Sequence, residues 1–140
     1  KTGEATYDLT MAMNGALGGL VAITAGCSVV PPWAAVLIGM VAGWVYYGFS
    51  KFLIAMKIDD AVDAIPVHFA NGIWGVIAVG LFAEPGLMAT AGYNDVHTGW
   101  FYFLGKGTGY ANLLLVQFVC VGWSLGWVFA RMTPFFMAFT

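Results

Sequence analysis

Charge is what this sequence has least of. Only 9% of its 140 residues are Asp, Glu, Lys or Arg, while 61% are hydrophobic. A soluble domain carries charge at about a quarter of its positions. This chain cannot cover a water-facing surface with so few, so its natural solvent is lipid. A net charge of −2 supplies neither a basic footprint for nucleic acid nor an acidic tail. Cysteine is almost absent. Cys27 and Cys120 fall in no metal or redox motif, and each reads as a small apolar residue at a helix contact. No cofactor is expected from these residues. A secretory signal is missing too: KTGEATYD is polar and runs straight into an apolar stretch, without the basic flank, short apolar core and cleavage site such a signal needs. With no initiating methionine before Lys1, both ends read as cuts in a longer protein.

What is present is apolar length. A membrane-crossing helix needs roughly 20 apolar residues. No charge occurs from Leu9 to Ser50, a run too long for one crossing, and Pro31-Pro32 breaks it. Two helices are expected there, over 9–30 and 33–56. A third uncharged stretch covers 64–83, and a fourth covers 110–131, ending at Arg131. The fold class is therefore an all-α integral membrane protein with four transmembrane helices and a long loop at 84–109. Alternating crossings put Lys1, Lys51, Lys57 and Arg131 on one side and only Lys106 on the other. The positive-inside rule makes the first side cytoplasmic and the long loop extracellular.

Small residues recur at helical spacing: Gly15 and Gly19, Gly39 and Gly43, Gly72 and Gly75, Gly122 and Gly126. Such pairs let membrane helices approach closely, whatever the protein does. Trp33, Tyr46, Tyr47, Trp100, Tyr102 and Tyr110 fall near expected interfaces and suit an aromatic belt. Asn14, Asn71, Asn112 and Gln117 are candidates for bonds across helices.

His68 is the one ionisable side chain inside an expected span. A titratable group in a bilayer is costly unless it faces a cavity or a partner. By helical spacing it shares a face with Ile65, Gly72, Gly75 and Val79, which would leave a narrow gap lined by little but an imidazole. An imidazole in general can exchange a proton near neutral pH and can donate at one nitrogen while accepting at the other. A proton relay, a metal or haem ligand, a contact for a small solute and a plain structural hydrogen bond all fit these properties. Asp59, Asp60 and Asp63 precede the third helix, where carboxylates cap free N–H groups. Pro66 suits a first turn. His97, beside Asp95, reads as a solvated loop residue.

Two segments carry a resemblance. NGALGGLVAITAGCSVV at Asn14–Val30 and IDDAVDAIPVHFANGIWGVIAVGLFA at Ile58–Ala83 resemble the ammonium transporter family. The double aspartate, the histidine eight residues after Asp60 and the following GIWG are characteristic. The Asp59-Asp60 pair and ITAGC favour this branch over the related Rhesus-type ammonia channels. The likeness runs through all four spans and is weakest over 84–109.

The resemblance implies an eleven-helix subunit in a homotrimer, each subunit with its own narrow hydrophobic pore in the plasma membrane. This chain would supply helices eight to eleven. The implied role is ammonium transport for nitrogen uptake, not enzymatic catalysis. His68 would match the second of two pore histidines, with Gly72 on the pathway and Ala64 at the cytoplasmic exit. Asp60 and Asp63 would support the pore helix. Ammonium is too strongly hydrated to cross a dry pore; the family is thought to deprotonate it outside and to pass ammonia and a proton inward, the histidine pair acting as relay. The first histidine, the outer recruitment site, the phenylalanine gate and the cytoplasmic tail that meets regulatory proteins would lie outside the chain. An ammonium sensor on the same fold and a haem-binding membrane subunit are the alternative readings.

Overall fold

The computed structural model describes residues 8–93, 97–103 and 112–139. All regular elements among them are helical: α1 (Leu9–Thr24), α2 (Pro32–Ala55), α3 (Ile65–Phe82), α4 (Pro85–Thr90), α5 (Trp100–Phe103) and α6 (Asn112–Phe139). The first turn of α3, Ile65–Ala70, is wound as a π-helix and the rest, Asn71–Phe82, as an α-helix. Three helices are long and apolar enough to cross a membrane: α2, α3 and α6.

The helix ends follow local chemistry. Asp8 caps α1 by accepting from the Met11 N–H at 3.1 Å. α1 stops at Thr24, short of the expected residue 30 and below the usual spanning length. The Thr24 hydroxyl donates to the Val21 carbonyl at 2.7 Å, an alternative to the helical ladder, and turns follow to the proline pair. Pro32 then opens α2, where its missing N–H costs nothing. At the other end of α2, Lys57 takes the left-handed conformation (φ 56°). The Ile58 and Lys57 N–H groups donate back to Leu53 and Ile54, a C-terminal closure in which glycine is the usual residue. The fourth expected span, 110–131, is described as a helix over Asn112–Phe139. Arg131 ends an uncharged run but is a good helix former, so the helix continues past it and through Pro134.

The chain divides into two compact units, and α3 passes from one to the other between Gly75 and Val76. The first holds α1, α2 and the start of α3. Its core is a stripe on α2 repeating every fourth residue (Ala34, Ile38, Ala42, Tyr46 and Ser50), with Leu53 below. Against it lie Gly18 and Ala22 of α1 and Pro66, Val67, Ala70 and Asn71 of α3. The Trp74 indole N–H donates to the Ile38 carbonyl at 3.1 Å.

Only some members of the expected glycine pairs make close approaches. Gly19 does face the Gly39 backbone, but a Cβ on Gly43, Gly122 or Gly126 would meet nothing among the described residues. The tight contacts fall at Gly18 against the Asn71 carboxamide, at Gly75 against the Ala22 backbone, at Gly80 against Leu114 and at Gly99 against Leu81 and Ala83. Cys27 and Cys120 are exposed rather than packed.

The second unit holds Ser28–Pro31, the remainder of α3, and α4 to α6. Residues expected as plain loop form α4 and α5. Glu84 N–H donates to the Val29 carbonyl and Gly99 N–H to the Ala83 carbonyl, each at 2.8 Å. The Phe82 and Phe101 rings stack with centroids 5.1 Å apart. Gly92, at φ +83°, closes α4 in a conformation that side chains rarely adopt. Burial, and then the negative charge of Glu84, hold the Tyr102 hydroxyl above its ordinary pKa. Lys106, Tyr110 and Asp95 lie outside the described residues.

Candidate functional site

The start of α3 is where polar side chains gather. Asp60 binds it as a two-pronged cap. One carboxylate oxygen accepts from the Ala64 N–H at 3.0 Å and the other from the Ile65 N–H at 2.7 Å. Both donors belong to a first turn that has no earlier carbonyls to bond. Replacing Asp60 by alanine is expected to cost about 1–2 kcal/mol of stability and to speed hydrogen exchange at the Ala64 and Ile65 amides. Unchanged exchange there would show that the cap contributes nothing.

Asp63 does something different from capping. It sits at φ 54°, a left-handed conformation uncommon outside glycine but one that aspartate adopts more readily than most residues. Its carboxylate turns toward α2, accepting from the Tyr46 hydroxyl at 2.7 Å and meeting the Ser50 hydroxyl at 3.4 Å. Tyr46 is only 2% exposed and Ser50 4%. Tyr46 therefore belongs to a buried polar cluster, not to the interfacial belt that its sequence position suggested. Trp33 and Tyr47 are half exposed, with the Lys51 ammonium 5.5 Å over the Tyr47 ring. Tyr46 and Ser50 are four apart on one helix face, and that spacing was the available signal for the cluster.

His68 lies in the middle of the π-wound turn and is exposed. Its imidazole bonds to no described residue, although Pro66 and Val67 before it and Ala70 and Asn71 after it are buried. Phe69 leans on Phe49 of α2, ring centroids 6.2 Å apart. A π-turn carries more residues per turn than an α-turn, so counting by threes and fours across it fails. The face expected to join Ile65, His68, Gly72, Gly75 and Val79 is consequently divided. Gly75 is filled by the Ala22 backbone, whereas a Cβ on Gly72 would meet open space among the described residues. Ala64 is exposed at the start of the turn. Among the described residues, no three of His, Cys, Asp and Glu come together to hold a metal ion.

Asn14 and Asn71 behave differently from each other. Asn14 reaches the Val62 carbonyl at 3.5 Å, out of its own helix. Asn71, fully buried, donates within α3 to the Pro66 carbonyl at 3.1 Å. Its Oδ1 has no partner among the described residues. Leaving a buried acceptor unpaired costs about 1–3 kcal/mol.

Residues 2–140 match the family model described as Ammonium Transporter Family. Among similar proteins, Ammonium transporter 1 member 2 of Arabidopsis thaliana is 40% identical over 126 residues, covering 88% of this chain and 23% of that protein. Putative ammonium transporter 1 member 5 of the same plant is 41% identical over 135 residues, covering 93% and 26%. Ammonium transporter Amt2 of Archaeoglobus fulgidus is 41% identical over 124 residues, covering 88% and 26%. The chain spans about a quarter of the length of these relatives. With a match along nearly its whole length, the chain belongs to the ammonium transporter family.

Proposed function

We propose that this chain is part of an ammonium transporter subunit, supplies its eighth to eleventh helices, and carries one histidine of a pore relay. The observation that carries the reading is the placement of His68: exposed on a turn whose Pro66, Val67 and Ala70 are buried. A second histidine, from the part of the subunit outside this chain, would share a hydrogen bond with it.

The chemistry follows from hydration. Stripping water from ammonium in an apolar conduit is costly, whereas ammonia is uncharged. A pore that removes the proton at its mouth and passes it separately avoids carrying a bare cation. An imidazole pair suits the task because each ring accepts at one nitrogen and donates at the other. Potassium has no proton to give up and is excluded. Ala64 and Gly72 then lie along the pathway, Asp60 caps the start of α3, and Asp63 ties it to α2. The Ala25–Val29 turns lengthen α1 toward a fourth crossing, with both chain ends on the cytoplasmic side. Assembly as a homotrimer in the plasma membrane, with a regulatory protein at the cytoplasmic tail, completes the reading.

The test uses the complete subunit in cells that lack their own ammonium transporters. Growth on low ammonium and a saturable uptake of labelled methylammonium are expected. Surface-expressed protein that gives neither growth, uptake nor an ammonium-dependent current would overturn the proposal.

A further inference from the structure

Asn71 is the polar residue of α3 that packing does not explain. It is 0% exposed, and its carboxamide fills space that an apolar group would fill without desolvation. Both of its N–H donors point back along the helix. The side-chain Nδ2 donates to the Pro66 carbonyl at 3.1 Å, and the backbone N–H donates to the His68 carbonyl. Together they brace the π-wound turn, a geometry that occurs mostly as single turns within α-helices. Room for the carboxamide comes from α1: a Cβ on Gly18 would lie 2.5 Å from Nδ2 and 3.3 Å from Cγ of Asn71.

We propose that Asn71 is a positioning residue for His68. Its carboxamide holds the wide turn that presents the imidazole outward while Val67 and Ala70 face the core, and Gly18 is the recess that seats it. This rests on the transport role proposed for His68. Asn71 itself touches no substrate, since it is closed off between helices.

The experiment measures methylammonium uptake by the complete subunit, normalised to surface expression, alongside Tm in detergent. Asn71→Ala is expected to lower the maximal rate about tenfold, as misplacement of a reacting group does. KM should stay within about twofold, the pattern of an interaction lost only during passage. Gly18→Ala, which pushes the carboxamide out without altering it, gives the same split. The double variant Gly18→Ala/Asn71→Ala removes the collision, so Tm recovers toward wild type while the maximal rate stays low. Recovery of both would make Asn71 a packing residue and overturn the proposal, as would an unchanged rate in Asn71→Ala. If alanine alone prevents surface expression, the double variant supplies the reading. His68→Ala in parallel separates the two failures. Loss there without loss in Asn71→Ala overturns the positioning role alone. Unchanged flux there overturns the histidine reading, and the positioning role with it.

Discussion

In the complete subunit, His68→Ala is expected to lower ammonium flux on the order of 100-fold at equal surface expression, the lower end of what a positioned acid–base group contributes. The magnitude comes from the route it closes. On the proposed relay, alanine would leave the apolar walls intact, so ammonia could still enter, but the proton would lose one of its two proposed imidazole carriers. His68→Glu gives a different outcome. A carboxylate still titrates, but when ionised it attracts cations as such, and a larger potassium current than in wild type is expected. Ammonium and potassium currents recorded on the same cells check both statements. Wild-type flux and selectivity in both variants would remove His68 from the mechanism. The Asp60 cap and the Asp63 link to Tyr46 leave the imidazole chemistry untouched, so their variants should act first through stability.

The second large effect is at Gly75. An added methyl there would press on the carbonyl oxygen of Ala22, with the Ala22 carbon 3.0 Å and Cα 3.1 Å away. These are backbone atoms in the last turn of α1, and they cannot swing aside as a side-chain tip can. Overpacking of this kind costs about 1–3 kcal/mol and sometimes more. Gly75→Ala is therefore expected to cut surface expression and to lower Tm clearly. Gly43→Ala is the control. Its methyl meets nothing among the described residues, and the gain in helix propensity, about 1 kcal/mol, should leave it as stable as wild type. Equal Tm values for the two variants would show that α1 and α3 are not locked at this contact.

The helices themselves were legible because apolar length and charge-free runs mark them directly. Pro31-Pro32 separated α1 from α2, and the acidic cluster before α3 announced a cap that Asp60 makes. What lay beyond reading was phase. No residue in IPVHFA signals a π-wound turn, and one extra residue in a turn moves everything downstream to a new face. That is why the glycine face drawn through His68 did not hold at Gly75. The Tyr46–Asp63–Ser50 cluster was hidden for a related reason: a tyrosine four residues before a serine in an apolar run looks interfacial until a carboxylate from another segment is set beside it. Arg131 misled about length, since charge marks where lipid ends rather than where a helix does.

α6 carries that last point further. Its 28 residues make a rod about 42 Å long, while the hydrocarbon slab is about 30 Å thick. The Arg131 guanidinium sits 5.4 Å over the Trp127 ring, an amphipathic pair of the kind that settles at the water boundary. The rod therefore has an anchor partway along it and apolar surplus beyond: Phe135, Phe136 and Phe139 are all exposed. A helix that outruns its slab accommodates by tilting, by kinking, as Pro134 would allow, or by thickening the bilayer around it, and packing and interfacial anchors set the angle. α6 thus has more length than a straight crossing needs, and the surplus falls beyond the Arg131–Trp127 pair.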